Sequence, residues 1–269
     1  MHGPVPVATA ALPAVPAGFT GRDEDLARLS PLLDPGAESD LPVVICAVSG
    51  LGGIGKTSLA LRAAYQAVRD GWFPGGTLFV DFRGYDEDPV TADQAVLALL
   101  DELGVRGADL PQTAAGQYGL YRRLLAEERR PMLLVLDNAS SPGQLSPLIP
   151  GTDHHRVLVT SRDRLTELDA RLIDLDVLTA GAAADLVGRA LLLSDREDDR
   201  AVREPEAVGE LAALCGRHPL ALQIAVGMLR KRRYRSVASL VGELRGGRGS
   251  DGSFGATAGF PGCVRTTAA

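Results

Sequence analysis

The chain has 269 residues, 45% of them hydrophobic and 23% charged, a composition that supports a packed core and excludes disorder throughout. Lys and Arg total 28 against 34 Asp and Glu, and the net charge of -6 argues against a general nucleic-acid binder. Cys46, Cys215 and Cys263 show no CxxC spacing, which excludes a disulfide scaffold or a Cys-based zinc site and suggests buried thiols in a reducing compartment.

Residues 1–18 carry Pro4, Pro6, Pro13 and Pro16 among Ala and Val, the composition of an extended linker. This segment has neither a basic n-region nor a Pro-free apolar stretch, and no run reaches 18 apolar residues. A signal peptide and a membrane span are therefore not expected, and a cytoplasmic location is. Next, Leu26, Leu29, Leu32 and Leu33 fall at helical spacing behind an acidic first turn, which predicts a short helix broken or ended near Pro31.

Apolar runs then alternate with amphipathic segments. VVICAV precedes a helix from about Thr57, and TLFVDF precedes one from about Thr91; MLLVLD, VLVTS and RLIDLD follow. Five short runs rich in Val, Leu and Ile predict an α/β fold with a five-stranded parallel sheet flanked by helices, over residues 19–178. From about Thr179 the strands cease. AAADLVGRALL, AVGELAALC and PLALQIAVGMLRK predict three consecutive helices, an all-α subdomain over 179–242, and the Gly-rich tail from 243 to 269, without packing periodicity, is expected to be disordered. The basic run Arg230–Arg235 fits the solvated end of the last of these helices, where the dipole favours cations.

The segment Gly50-Leu51-Gly52-Gly53-Ile54-Gly55-Lys56-Thr57-Ser58 matches GxxxxGK[ST], follows a predicted strand and opens a predicted helix. At this chain's own residue frequencies a random match is expected about 0.003 times. The glycines let backbone N–H groups turn towards phosphate oxygens, and the helix N-terminus reinforces that nest. Lys56, one of only two lysines, would neutralise the β- and γ-phosphates, and the Thr57 hydroxyl would ligate Mg²⁺. Asp137, at the end of MLLVL, is the candidate acid for the metal shell; the competing role is a helix cap.

Asn138 stands where a general base would follow, and an amide cannot accept a proton from water, so hydrolysis is expected to be slow. Asp81, ending the second strand, is the alternative base, or else a solvated or capping residue. VLVTSR places Thr160, Ser161 and Arg162 at the C-terminal edge of the sheet, where ligands of open α/β sheets bind. Arg162 suits a sensor of the terminal phosphate, or else pairs with Asp163 at the surface. Trp72, Tyr85 and Tyr118 read as packing or loop anchors, and the His154-His155 pair shows no metal-ligand spacing.

With these elements in order, the chain resembles the NB-ARC domain of the STAND switch ATPases, most nearly in the form carried by SARP-type bacterial transcriptional regulators. FTGRDEDLARL is similar to the adenine-side motif, with Phe19, Gly21 and Arg22 in place; LLVLDNA is similar to the Walker B strand, and VLVTSR to the sensor strand. CGRHPLALQIA resembles the GLPL motif, in which Pro219 would lie against adenine, with His218 replacing the usual Leu. The resemblance covers roughly residues 19–230.

It implies an ADP/ATP and Mg²⁺ switch module of a signalling or transcriptional regulator, with nucleotide held in a cleft between the α/β and helical parts, and with self-association or a regulatory protein as partner. Nucleic acid is not expected as a partner of this chain alone. The family's winged helix and MHD histidine have no counterpart in the sequence. The alternatives are therefore a truncated remnant holding ADP structurally, or a P-loop ATPase acting on a separate substrate.

Overall fold

A computed structural model describes residues 8–37 and 44–249, the flanks 44–46 and 247–249 as backbone alone. Over these residues the chain divides into two compact units: 8–16, 22–37, 44–51 and 55–176 form the first, and 17–21, 52–54 and 177–249 the second.

The first unit is a six-stranded sheet flanked by helices. In chain order it holds β1 (Ala8–Thr9), α1 (Asp23–Leu33), β2 (Val44–Ser49), α2 (Lys56–Arg69), β3 (Gly76–Asp81), α3 (Ala92–Glu102), α4 (Ala114–Glu127), β4 (Met132–Ala139), α5 (Pro142–Leu145), β5 (Arg156–Ser161) and β6 (Ala170–Asp174). The strands run β1-β3-β4-β5-β2-β6 across the sheet, and β2 to β6 are mutually parallel. β4 and β5 lie in its middle, and their runs MLLVLD and RVLVTS are buried at every position. Both faces of the central strands are covered by helices, so these strands read as continuous apolar runs rather than as alternation.

Three expectations need correction. The sheet has a sixth strand, because Ala8 and Thr9 pair antiparallel with Val80 and Phe79 on the free edge of β3. Residues 8–12 are thus not an unattached linker: Thr77 Oγ1 donates to the Ala10 carbonyl at 2.9 Å, Tyr65 to the Leu12 carbonyl at 2.8 Å, and Glu102 accepts the Ala10 N–H at 2.9 Å. Two residues are too few to show a period, and the unpaired edge of β3 supplies what their own pattern lacks. α1 ends at Leu33, close to Pro31 as its sequence predicts, since a proline in the last turn removes only one hydrogen bond.

The second unit holds α6 (Ala180–Leu192), α7 (Arg200–Arg203), α8 (Pro205–Leu214), α9 (Pro219–Lys231) and α10 (Val237–Gly249). Its core is formed by Leu186, Val187, Leu211, Leu222, Val226 and Leu229 with Val237 and Leu240. The fourth long helix, α10, is the third correction: the expected tail is helical up to Gly249, and residues 250–269 lie outside the described ones. Among the described residues no helix is long and apolar enough to cross a membrane.

His155 is fully buried at the entry to β5. Its Nδ1 accepts the Met132 N–H at 3.1 Å, which leaves Nε2 to donate to the Leu125 carbonyl at 2.7 Å. Both ring nitrogens are used by the neutral form, and burial pushes the imidazole pKa below its usual value. The unfolded chain then takes up the proton first, so stability falls as pH drops below about 6.5, by about 1.4 kcal/mol per unit of lowering. A His155→Gln variant, which does not titrate, is expected to lose this part of the acid sensitivity of Tm. Identical Tm profiles of the two proteins between pH 5 and 7.5 would rule His155 out.

Candidate nucleotide site

β2 ends at Ser49, and the chain turns through Gly50–Gly55 into α2. Gly50, Gly53 and Gly55 have φ of 143°, 73° and 102°, a region closed to most side chains, while Gly52 is not among the positive-φ residues. At Gly53 a Cβ would also stand 2.7 Å from Leu220 Cδ2 within the second unit. The Ser49 carbonyl accepts the Leu175 N–H at 2.8 Å, and the Ser49 hydroxyl bonds Asp174, so β6 anchors the start of the loop.

Lys56 opens α2 with its side chain folded back into the loop, Nζ donating to the carbonyls of Gly50 at 2.8 Å and Leu51 at 2.9 Å. Burial, and then the charge of Arg162, lower its pKa to about 8 against the opposing pull of Asp137 and Asp163. Thr57 Oγ1 donates to the Asp137 carboxylate at 2.9 and 3.0 Å from its two oxygens. Thr160 Oγ1 donates to Asp137 Oδ1 at 2.5 Å and accepts the Asn138 N–H at 2.9 Å. Asp137 is thus an interior carboxylate that receives two hydroxyls and does not cap a helix.

Burial raises the Asp137 pKa, and the Asp81 charge adds to this, because Asp81 is its register partner on β3. Asp81 itself accepts the Arg83 N–H at 2.9 Å, a turn bond two residues along the chain. Asn138 sits at φ 57° in an irregularity of the β4–β5 ladder between Leu136 and Ala139. Asparagine is among the few side chains that tolerate this conformation.

Of the expected residues, Gly50, Gly55, Lys56, Thr57, Asp137 and Arg162 belong to the first unit, with Ser58 half-buried on α2. Arg22 is also there, buried and paired with Asp25 at 3.0 Å. Phe19, Gly21, Gly52, Gly53, Ile54 and Pro219 belong to the second unit. There Pro219 is buried at the first position of α9, and the His218 ring lies beside Gly53, with Cε1 3.1 Å from where a Cβ would be. Tyr85 and Thr160 carry more than the sequence suggested. Tyr85 binds the end of β5, and Thr160 braces Asp137.

The Thr57 hydroxyl and Asp137 carboxylate are hard oxygen donors that fit Mg²⁺. Among the described residues no group of three His, Cys, Asp or Glu could hold a metal.

No family model matches the chain. It is 37% identical over 236 residues to the regulatory protein AfsR of Streptomyces griseus, a match over 87% of this chain and 23% of that protein. It is 26% identical over 225 residues to the "Probable disease resistance RPP8-like protein 2" of Arabidopsis thaliana, over 75% of this chain and 22% of the relative. Among solved structures, the Signal Transduction ATPase with Numerous Domains protein PH0952 of Pyrococcus horikoshii superposes with a TM-score of 0.51 at 18% identity, over 89% of this chain and 34% of that one. The chain has the P-loop NTPase fold, and its relatives and structural neighbours include regulators and disease-resistance proteins of the STAND, NB-ARC type. The chain spans less than a quarter of the length of these relatives.

Proposed function

We propose that this STAND-type chain binds ADP or ATP with Mg²⁺ and serves as the nucleotide switch module of a signalling or transcriptional regulator in the cytoplasm, hydrolysing ATP slowly at most. The observation that carries the reading is the convergence of Lys56, Thr57 and Asp137 at the turn from β2 into α2. A polyphosphate would draw the Lys56 ammonium away from the two loop carbonyls, and its charge would restore the ordinary lysine pKa. Mg²⁺, when bound, would supply charge neutralisation to the phosphates, and Thr57 and Asp137 would hold it.

Arg162 would contact the terminal phosphate, and Phe19, Gly21, Arg22 and Pro219 would form the adenine side. ATP and ADP would differ in what they offer Arg162, and that difference is what a switch needs. Self-association or a regulatory protein is the expected partner of such a module. The test is to denature freshly purified protein and identify the released nucleotide by chromatography and mass spectrometry. Stoichiometric ADP or ATP supports the reading, and no nucleotide together with no binding of added Mg²⁺-ATP rejects it.

Asn138 gives the proposed slow turnover its test. Its N–H is used by Thr160 and its carbonyl by Gly84, so replacing its side chain leaves the backbone bonds in place. Asn138→Asp keeps a residue that tolerates positive φ and adds a group able to accept a proton. Phosphate release should rise by about tenfold or more. An unchanged rate would remove residue 138 from the base position.

A further inference from the structure

The loop after β3 folds back over the end of β4. Gly84 donates to the Asn138 carbonyl at 2.8 Å, and a Cβ on Gly84 would stand 2.6 Å from that oxygen and from Ser140 N, so only glycine lets the loop lie this close. The strap delivers Tyr85 to the end of β5. The Tyr85 hydroxyl accepts the Arg162 N–H at 2.8 Å, donates to Asp163 Oδ2 at 2.8 Å and lies 3.0 Å from Ser161 Oγ. The Arg162 guanidinium stands over the Tyr85 ring with Cζ 4.2 Å from its centroid.

Asp163, the partner that sequence alone offers Arg162, is therefore engaged by Tyr85. Arg162 is solvent-exposed and makes no ion pair among the described residues, so the ring is what holds its guanidinium. β5 is the direct neighbour of β2, so Arg162 leaves the sheet beside the strand that feeds the phosphate loop. The charge of Arg162 also acts on Lys56, as two cations facing one volume would. A free arginine loses much rotamer freedom on meeting a phosphate, and prior stacking on a ring removes part of that loss.

We propose that Tyr85 is a positioning residue that holds Arg162 ready for the terminal phosphate of ATP and so sets how strongly the site prefers ATP over ADP. This rests on the nucleotide-binding reading above. ADP has no group for Arg162 to meet, so Tyr85 is neutral towards it.

The test is calorimetric titration with Mg²⁺-ADP and a non-hydrolysable Mg²⁺-ATP analogue of the wild type, Tyr85→Leu, Tyr85→Phe, Arg162→Ala and the Tyr85→Leu/Arg162→Ala pair. Tyr85→Leu should weaken the ATP analogue about three- to tenfold and leave ADP affinity within about twofold. Tyr85→Phe, which keeps the ring, should lose less. In the Arg162→Ala background the Tyr85→Leu effect should vanish, an outcome that a merely structural role would not produce. An unchanged ATP-to-ADP ratio in Tyr85→Leu, equal weakening of both nucleotides, or an effect that persists without Arg162 overturns the proposal. A wild type that binds neither nucleotide overturns the nucleotide-binding reading and this proposal with it, whereas wild-type binding with an unaltered ratio in Tyr85→Leu overturns the role of Tyr85 alone.

Discussion

Lys56→Ala is expected to weaken nucleotide binding by roughly 100-fold or more, because two or more charge-assisted bonds of about 1.5–3 kcal/mol are lost together. The fold should survive, since the carbonyls of Gly50 and Leu51 that Lys56 now caps lie in a loop whose Leu51 is 67% exposed, within reach of water. Binding should also depend on pH with a definite sign. With the ammonium pKa near 8 in the free protein, affinity falls about tenfold per pH unit above that value, until the pKa of the bound form is reached.

Between pH 8 and 9, nucleotide binding should take up a proton, detectable as a dependence of calorimetric heat on the ionisation enthalpy of the buffer. The same lowered pKa acts oppositely on folding: the unfolded chain holds the proton up to the ordinary value of 10.5, so this group adds stability as pH rises through that window. Undiminished affinity in Lys56→Ala, or a wild-type affinity flat from pH 7 to 9.5, would reject the assignment of Lys56 to phosphate.

The second large effect is expected at Arg200, in the helical unit. Its guanidinium pairs with Asp198 through two contacts, 2.9 Å to Oδ1 and 2.5 Å to Oδ2, and donates to the carbonyls of Leu229 at 3.3 Å and Arg235 at 2.8 Å. Both side chains are 7% exposed. One side chain thus ties the loop before α7 to the end of α9 and the turn before α10. Arg200→Ala leaves the Asp198 carboxylate buried without its cation and removes the side-chain donor from the Arg235 carbonyl, while the Leu229 carbonyl keeps the Arg232 N–H, and about 3–5 kcal/mol of stability should be lost. A double replacement, Asp198→Asn with Arg200→Met, should recover part of that loss, because no lone charge remains. Denaturant unfolding of the three proteins reads this directly, and a single Arg200→Ala loss below about 1 kcal/mol would show the cluster to be solvated. The Arg200 guanidinium holds the Asp198 carboxyl below its usual range, so this stabilisation is present at neutral pH and lost as pH falls through the carboxylate range.

What was legible in the sequence was whatever is decided locally. A loop that needs positive φ at Gly50, Gly53 and Gly55 must be written as glycine, and Lys56 and Thr57 follow because the helix starts there. Asp137 was legible as the polar end of an apolar strand. The brace from Thr160, the capture of Asp163 by Tyr85 and the clamp of Arg200 were not, because each depends on which strands or helices lie side by side. β5 lies between β2 and β4, and no local pattern announces that. For α10 a signal existed: Val237, Leu240 and Val241 are spaced for one helix face, but the Gly-rich residues after them obscured it. In sequence Asn138 stands only as a missing base, and the ladder irregularity adds a backbone requirement that its identity also meets.

The strand order also bears on how the chain assembles during synthesis. β3 and β4 can pair once residue 139 is made, but β2, translated well before them, finds its two neighbours only in β5 and β6, and Ser49 pairs with Asp174. These long-range pairings carry a larger loop-closure cost and form late. The phosphate loop, encoded in the first quarter of the chain, therefore cannot be anchored until about 125 more residues have left the ribosome. A nucleotide that binds the finished loop can act as a ligand of the completed sheet, favouring the last strands into place and drawing the folding equilibrium towards the native state.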